Sequence, residues 1–160
     1  MLDDGVTAED AKDAEEHTPM TIDEVTHRVI KAAMTVHSAI GPGLLEKAYD
    51  ACLFYELRKG GLQFEHQLKI PVSYQGIRID AGFRVDYLVE KCVLVELKAV
   101  EKIHPVHSAQ VLSYLRLTGL TVGLLINFNV VHLRDGIHRK VNNYQPESGP
   151  EPLRPLRPPR

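Results

Sequence analysis

Cysteine is scarce in this 160-residue sequence, and the scarcity removes several classes of function. Cys52 and Cys92 are the only two, each inside an apolar run. Two thiols cannot hold a four-cysteine iron–sulfur cluster, and neither has the spacing of a zinc site. They read as small buried hydrophobes of a reducing compartment. Long apolar runs are missing too. No stretch approaches membrane-spanning length, and no apolar signal segment opens the chain. The expected location is therefore cytoplasmic, with no membrane partner. Strong charge of either sign is also lacking, since the formal net charge is -2. That near-balance hides an asymmetry. Residues 1–20 contain seven acids against one base, Lys12, whereas residues 21–145 contain 15 Lys/Arg and 12 Asp/Glu, a net +3. A mildly basic body permits a polyanionic ligand without demanding one.

What is present suffices for one compact domain. The apolar share is 44%, ordinary for a globular chain with a real core. Residues 1–19 are acidic and nearly free of large apolar groups, so burial cannot offset their ordering entropy; a disordered lead is expected. Residues 145–160 form a Pro/Arg-rich tail, expected to be extended and flexible. The domain between them, residues 20–144, opens with a helix from about Thr21. Thr21 and Glu24 have the spacing of a capping box, and Val25, Val29, Ala32, Ala33 and Val36 mark its apolar face. Ile40-Gly41-Pro42-Gly43 breaks it. A second helix runs from Leu44 to about Lys59 and stops at Gly60-Gly61. Strands are expected over Phe64–Tyr74, Ile77–Val89 and Cys92–Ala99. Pro105 begins a helix that ends near Thr118 before Gly119. Val122–Phe128 is a strongly apolar strand, and a last strand pair is expected around Val131–Leu133 and Ile137–Val141. No internal repeat is visible. The element order gives a mixed α/β domain, one sheet covered by helices.

The stretch Val93-Leu94-Val95-Glu96-Leu97-Lys98-Ala99 carries the most information. Its apolar residues mark a central strand. Strand side chains alternate, so Glu96 and Lys98 point to one side. Two charges on a buried face need partners. A mutual structural pair would satisfy them, and so would a site for a cation and a substrate anion. Asp86 bears on the choice. Phe83, Val85, Tyr87 and Val89 share a face by alternation, and Asp86 projects from the other. With a three-residue turn at Glu90-Lys91-Cys92, Val89 pairs with Val93 and Asp86 falls across from Glu96. A two-residue turn would put the carboxylates on opposite faces. Opposed carboxylates destabilise a hairpin unless they share a proton or hold a cation. Oxygen-only ligands favour Mg²⁺ or Mn²⁺. Phosphodiester hydrolysis needs such a set: carboxylates to hold the metal, and a lysine to stabilise developing charge.

Two helices present further candidates. Glu46, Tyr49, Leu53 and Leu57 fall on one stripe. Glu46 in a first turn can favour the helix dipole or reach back to the N-cap amide. Tyr49 at such a position is more often a core aromatic with a satisfied hydroxyl than a functional group. On the third helix Val106, Gln110, Tyr114 and Leu117 form a stripe, with Gln110 and Tyr114 projecting together. Gln110 could bond a buried backbone group or orient water or phosphate. His104 and His107 flank the helix start without the pattern of a zinc site, and His107 faces a region where an anion could bind.

The run Gly41-Pro42-Gly43-Leu44-Leu45-Glu46-Lys47-Ala48-Tyr49 resembles the signature of the GxxExxY proteins, with Gly43, Glu46 and Tyr49 at the named positions. The later runs FRVDYLVE, VLVELKAV, HSAQVLSYLRLTG and VGLLINFN resemble that family in the same order, over about residues 21–143. The family is placed in the PD-(D/E)xK, restriction-endonuclease-like nuclease superfamily. That resemblance implies a mixed α+β fold with a restriction-endonuclease-like core, a central mixed sheet flanked by helices. It implies Mg²⁺ (or Mn²⁺) ligation by Asp86, Glu96 and the Leu97 carbonyl, with Lys98 catalytic. Glu46 matches the acidic residue of the first core helix and would bind metal directly or through water. Gln110 and Tyr114 match a Gln-x-x-x-Tyr element that holds substrate near the metal. The candidate catalytic set is thus Glu46, Asp86, Glu96, Lys98 and Gln110, with Tyr114, Tyr49 and His107 on the substrate side. The expected activity is metal-dependent hydrolysis of nucleic acid, DNA before RNA, and a homodimer is compatible with so small a domain. The rival expectation is a catalytically silent nuclease fold that binds nucleic acid or protein.

Overall fold

The capping-box spacing at the start of the domain is realised in the backbone. In the computed structural model, which describes residues 18–143, the Thr21 amide donates to Glu24 at 3.0 Å and the Glu24 amide to the Thr21 hydroxyl at 3.2 Å. Helix α1 spans Ile22–Ile40 and buries Val25, Val29, Ala33 and Val36. The readings of the acidic lead and the Pro/Arg-rich tail fall on residues 1–17 and 144–160, outside the described residues. Helix α2 spans Glu46–Lys59, two residues shorter at its start than expected, because Gly41 and Gly43 take φ of 65° and 94°. Glycine occupies that left-handed region without strain, and the chain turns there before Leu45 caps the helix.

Five strands follow: β1 Phe64–Tyr74, β2 Ile77–Val89, β3 Val93–Lys98, β4 Val122–Asn127 and β5 Ile137–Val141, with helix α3 (Pro105–Thr118) between β3 and β4. They form one sheet in the order β1-β2-β3-β4-β5. Neighbours are antiparallel except β3 and β4, which run parallel. A parallel pair needs a crossover, and α3 supplies it. The sheet is flanked by helices on both sides. Tyr87, Val89, Val93, Val95, Leu97, Val122, Leu124 and Ile126 pack with α1 and α2. Leu88, Leu94 and Leu125 pack with Val111, Tyr114 and Leu115 of α3. Gly123 lets α3 lie close, since a Cβ there would meet Val111 Cγ1 at 2.7 Å.

Two expectations need correction. Val131–Leu133 is not a strand; a 3₁₀ turn, Leu133–Gly136, leads directly into β5. That turn passes so near β4 that a Cβ on Gly136 would overlap the Asn127 carbonyl oxygen. The α3 stripe is also rotated from the expected one. Val106 is exposed, and the buried positions are Val111, Tyr114, Leu115 and Thr118. No helix among the described residues is long and apolar enough to cross a membrane.

Candidate active site

The β2–β3 hairpin has the three-residue connection that the charged pair requires. Val89 pairs with Val93, Leu88 with Leu94 and Tyr87 with Val95, and Glu90 and Lys91 turn the chain with φ of 50° and 57°. One step further along that register, Asp86 stands opposite Glu96. Backbone pairing gives way there to side chains. The Asp86 amide donates to Glu96 Oε1 at 2.9 Å, and the Leu97 amide donates to Asp86 Oδ2 at 2.8 Å. Each carboxylate thus commits one oxygen to the opposite strand and keeps the other. The Lys98 carbonyl accepts from the Phe128 amide on the β4 side. Successive carbonyls of a strand alternate in direction, so the Leu97 carbonyl points back toward Asp86. Asn127 pins the chain just beyond: its side chain accepts from the Val100 amide at 3.0 Å and donates to the Val100 carbonyl at 2.9 Å.

The strand faces do not alternate simply through this region, contrary to the expectation for β2. Tyr87 and Val89 pack toward α1 and α2, whereas Val85 packs toward α3, and Phe83 meets the Tyr114 ring edge-on at 5.2 Å. β1 switches in step, with Phe64 on one layer and Ile70 on the other. Gln67, at φ 56°, lies at the switch in β1, and Asp86 lies at the switch in β2. A local twist of this kind re-aims a side chain. Here it turns Asp86 into the gap between β2 and β3.

Electrostatics follow from this placement. Glu96 is only 7% exposed. Burial, then repulsion from Asp86, pushes its carboxyl up to about 7, against the Asp86 amide and Lys98, which favour the charged form. Asp86 is raised chiefly by burial, with Asp50 adding to the shift and the Leu97 amide and Lys98 opposing it. Glu46 is raised by burial and then by Asp86. The three carboxylates therefore act on one another from three elements. Lys98 is half-buried and forms no ion pair among the described residues, so it is not sealed against Glu96.

The position of Glu46 is explained by its neighbours. The Tyr49 hydroxyl donates to the Gly41 carbonyl at 2.7 Å and accepts from the Leu44 amide at 3.1 Å. Its ring stacks on Phe128 with centroids 4.6 Å apart. Tyr49 thereby staples the glycine turn to the first turn of α2. Glu46 opens α2 on that turn and is exposed, and its carboxylate lies within electrostatic reach of Asp86 and Lys98. Tyr49 itself is fully buried, and its hydroxyl is taken up by the loop backbone rather than presented at the surface.

On α3, Tyr114 is buried at the sheet, and its hydroxyl is pushed up to about 12 by burial and then by Glu96 and Asp86. Its polar end therefore senses the carboxylate pair. Gln110 is half-buried one turn earlier. His107 accepts from the His104 amide through Nδ1 at 3.1 Å. Packing, then the charges of Lys98 and His104, hold His107 below its ordinary value. It lines a concave surface with Val100, Glu101, Lys102 and His104 at the start of α3.

Three polar residues near the site were not foreseen. Asp50, one turn after Glu46, accepts from the Tyr87 hydroxyl at 2.7 Å and contacts His66 Nε2 at 2.9 Å. Gln67 Nε2 reaches Asp86 Oδ1 at 3.4 Å. The adjacent polar pair His66-Gln67 interrupts the alternation of β1 and was the available signal.

Among the described residues, no group of three or more His, Cys, Asp or Glu is spaced to hold a metal ion on its own. The donor set at the strand gap is two carboxylates and one backbone carbonyl. Oxygen donors of that number suit a hard divalent cation that keeps much of its water. A family model described as the PD-(D/E)XK nuclease superfamily matches residues 23–140. No curated protein and no solved structure matches the chain.

Proposed function

The chain belongs to the PD-(D/E)XK nuclease superfamily, and on that premise we propose that it is a GxxExxY-type nuclease that hydrolyses phosphodiester bonds with Mg²⁺ or Mn²⁺. The observation that carries this reading is the Asp86–Glu96 pair, opposed across a strand gap, with Lys98 on the strand of Glu96 and without an ion pair among the described residues. Two partly desolvated carboxylates facing one another across strands repel, and a cation relieves that repulsion better than the lysine does. Asp86, Glu96 and the Leu97 carbonyl would hold it, with Glu46 supporting from α2. When bound, a divalent ion supplies Lewis-acid polarisation of a phosphate and a more acidic water.

The chain's own residues have separable tasks. Lys98 places a positive charge where negative charge develops on the phosphate. Tyr114 offers a hydroxyl within electrostatic reach of the carboxylates, and Gln110, one turn earlier on α3, would join it in orienting the substrate backbone. His107 extends that row along α3 toward solvent. A net +3 over residues 21–145 suits a polyanion, with DNA expected before RNA. The site is expected to act in the cytoplasm.

The test is cleavage of labelled single- and double-stranded DNA and RNA by purified protein with Mg²⁺ or Mn²⁺, beside Asp86→Ala and Lys98→Ala. Cleavage abolished by chelator and by both substitutions supports the assignment. Cleavage at the wild-type rate in either variant refutes it. A second reading, a nucleic-acid- or protein-binding module without turnover, is favoured by the backbone bonds that already occupy one oxygen of each carboxylate. Tight binding with no metal-dependent turnover would select it.

A further inference from the structure

Gln67 stands outside the motif residues, yet its placement is unfavourable in three respects. Its backbone has φ 56° within β1, a region that strains residues other than glycine. Its amide oxygen Oε1 is buried and has no hydrogen-bond partner. Its amide nitrogen donates only a long bond, to Asp86 Oδ1 at 3.4 Å, near the upper limit for such a bond; His66 Nε2 is also 3.4 Å away but gives its proton to Asp50. A side chain kept for stability would not combine strain with a buried orphan acceptor. Unsatisfied buried groups call for a ligand, a water or a catalytic role.

The surroundings narrow the choice. Asp86 Oδ2 is committed to the Leu97 amide, and Gln67 approaches Oδ1, the oxygen left for a ligand. The approach is held from behind. His66 is fixed by Asp50 at 2.9 Å, and Asp50 by Tyr87 at 2.7 Å. The local twist at Gln67 and Asp86 is what brings the amide to the carboxylate.

We propose that Gln67 is a further positioning residue of the cation site, its NH₂ holding the free oxygen of Asp86 and its Oε1 accepting from a water of the hydrated divalent ion. This role presupposes the cation-dependent reading above. It adds from β1 a neutral oxygen that holds a bound water, beside the ligands supplied by β2, β3 and α2.

The test is Mn²⁺ binding to the full chain by electron paramagnetic resonance, with melting followed in parallel. Wild type, Gln67→Gly, Gln67→Glu and Asp86→Asn are compared. Glycine accepts the left-handed backbone, so Gln67→Gly should melt at or above the wild-type temperature. It should bind Mn²⁺ at least about 10-fold more weakly, the usual effect of removing a group that orients a ligand. Gln67→Glu restores an oxygen with a charge and should bind at least as tightly as wild type. Its melting temperature should rise more on Mn²⁺ addition, a response that a merely structural role would not give. Wild-type affinity in Gln67→Gly, with binding lost in Asp86→Asn, overturns the role of Gln67 and leaves the cation site standing. Absence of Mn²⁺ binding by the wild type overturns both.

Discussion

Replacing Glu96 by glutamine should stabilise the cation-free protein at alkaline pH, although it removes a residue of the candidate site. The carboxyl is 7% exposed and is pushed from its ordinary 4.5 up to about 7. An unfolded chain releases the proton near 4.5, whereas the folded chain retains it until about 7. Between those values the folded state binds more protons than the unfolded one. Stability is therefore present at low pH and falls as pH rises from about 4.5 to 7. The full loss is about 3 kcal/mol, at about 1.4 kcal/mol for each pH unit. Glutamine is neutral throughout, and its Oε1 can still accept from the Asp86 amide. Glu96→Gln should then exceed the wild type by about 2–3 kcal/mol near pH 8, or roughly 6–12 °C in melting temperature for a domain of this size. Near pH 5 the two proteins should melt within a few degrees of one another. Saturating Mg²⁺ should close the gap at pH 8, because only the wild type gains from it. The assay is a thermal melt across pH, with chelator and with Mg²⁺. A glutamine variant less stable at pH 8, or a gap equal at pH 5 and pH 8, would refute the electrostatic account of the pair.

Other substitutions separate chemistry from scaffold. Lys98→Met should lower cleavage by about 10²–10³-fold while preserving Mn²⁺ binding, as loss of a charge-stabilising group does; single-turnover cleavage and a Mn²⁺ titration read the two effects. Tyr49→Phe removes the bonds to Gly41 and Leu44 and should lower stability by about 1–3 kcal/mol. An unchanged melting temperature with weakened substrate binding would place Tyr49 on the substrate side. Gly136→Ala forces a methyl into the Asn127 carbonyl and should destabilise by about 2 kcal/mol or more. A wild-type denaturant midpoint for it would show that the turn is free to move.

Much of the fold was legible because its signals are local. Thr21 and Glu24 are three apart, and one turn of helix joins them whatever lies elsewhere. The hairpin register was legible only as an alternative: a three-residue connection sets Asp86 against Glu96 and a two-residue turn does not, and the pairing of Val89 with Val93 decided between them. The segment after β4 was read less well. Val131 and Leu133 have the apolar alternation of a strand, but the near contact of Gly136 with Asn127 draws the chain into a 3₁₀ turn. Alternation along β2 misled in the same way, because the twist at Gln67 and Asp86 changes which layer each side covers.

By itself the sequence determined the charged constellation: Glu96 and Lys98 two apart on a core strand, Asp86 ten residues before Glu96, and Glu46 at the start of a helix. Such spacings are enforced by backbone periodicity and survive any packing arrangement. Only the tertiary structure decided which polar groups serve that constellation. Tyr49 was drawn inward by Phe128 and the Gly41 carbonyl. Glu46 was carried to within electrostatic reach of Asp86, forty residues away in the chain. Gln67, inconspicuous in the sequence, was brought to Asp86 by a twist shared between two strands. Contacts across such separations depend on how layers pack, and no periodicity within a single segment records them.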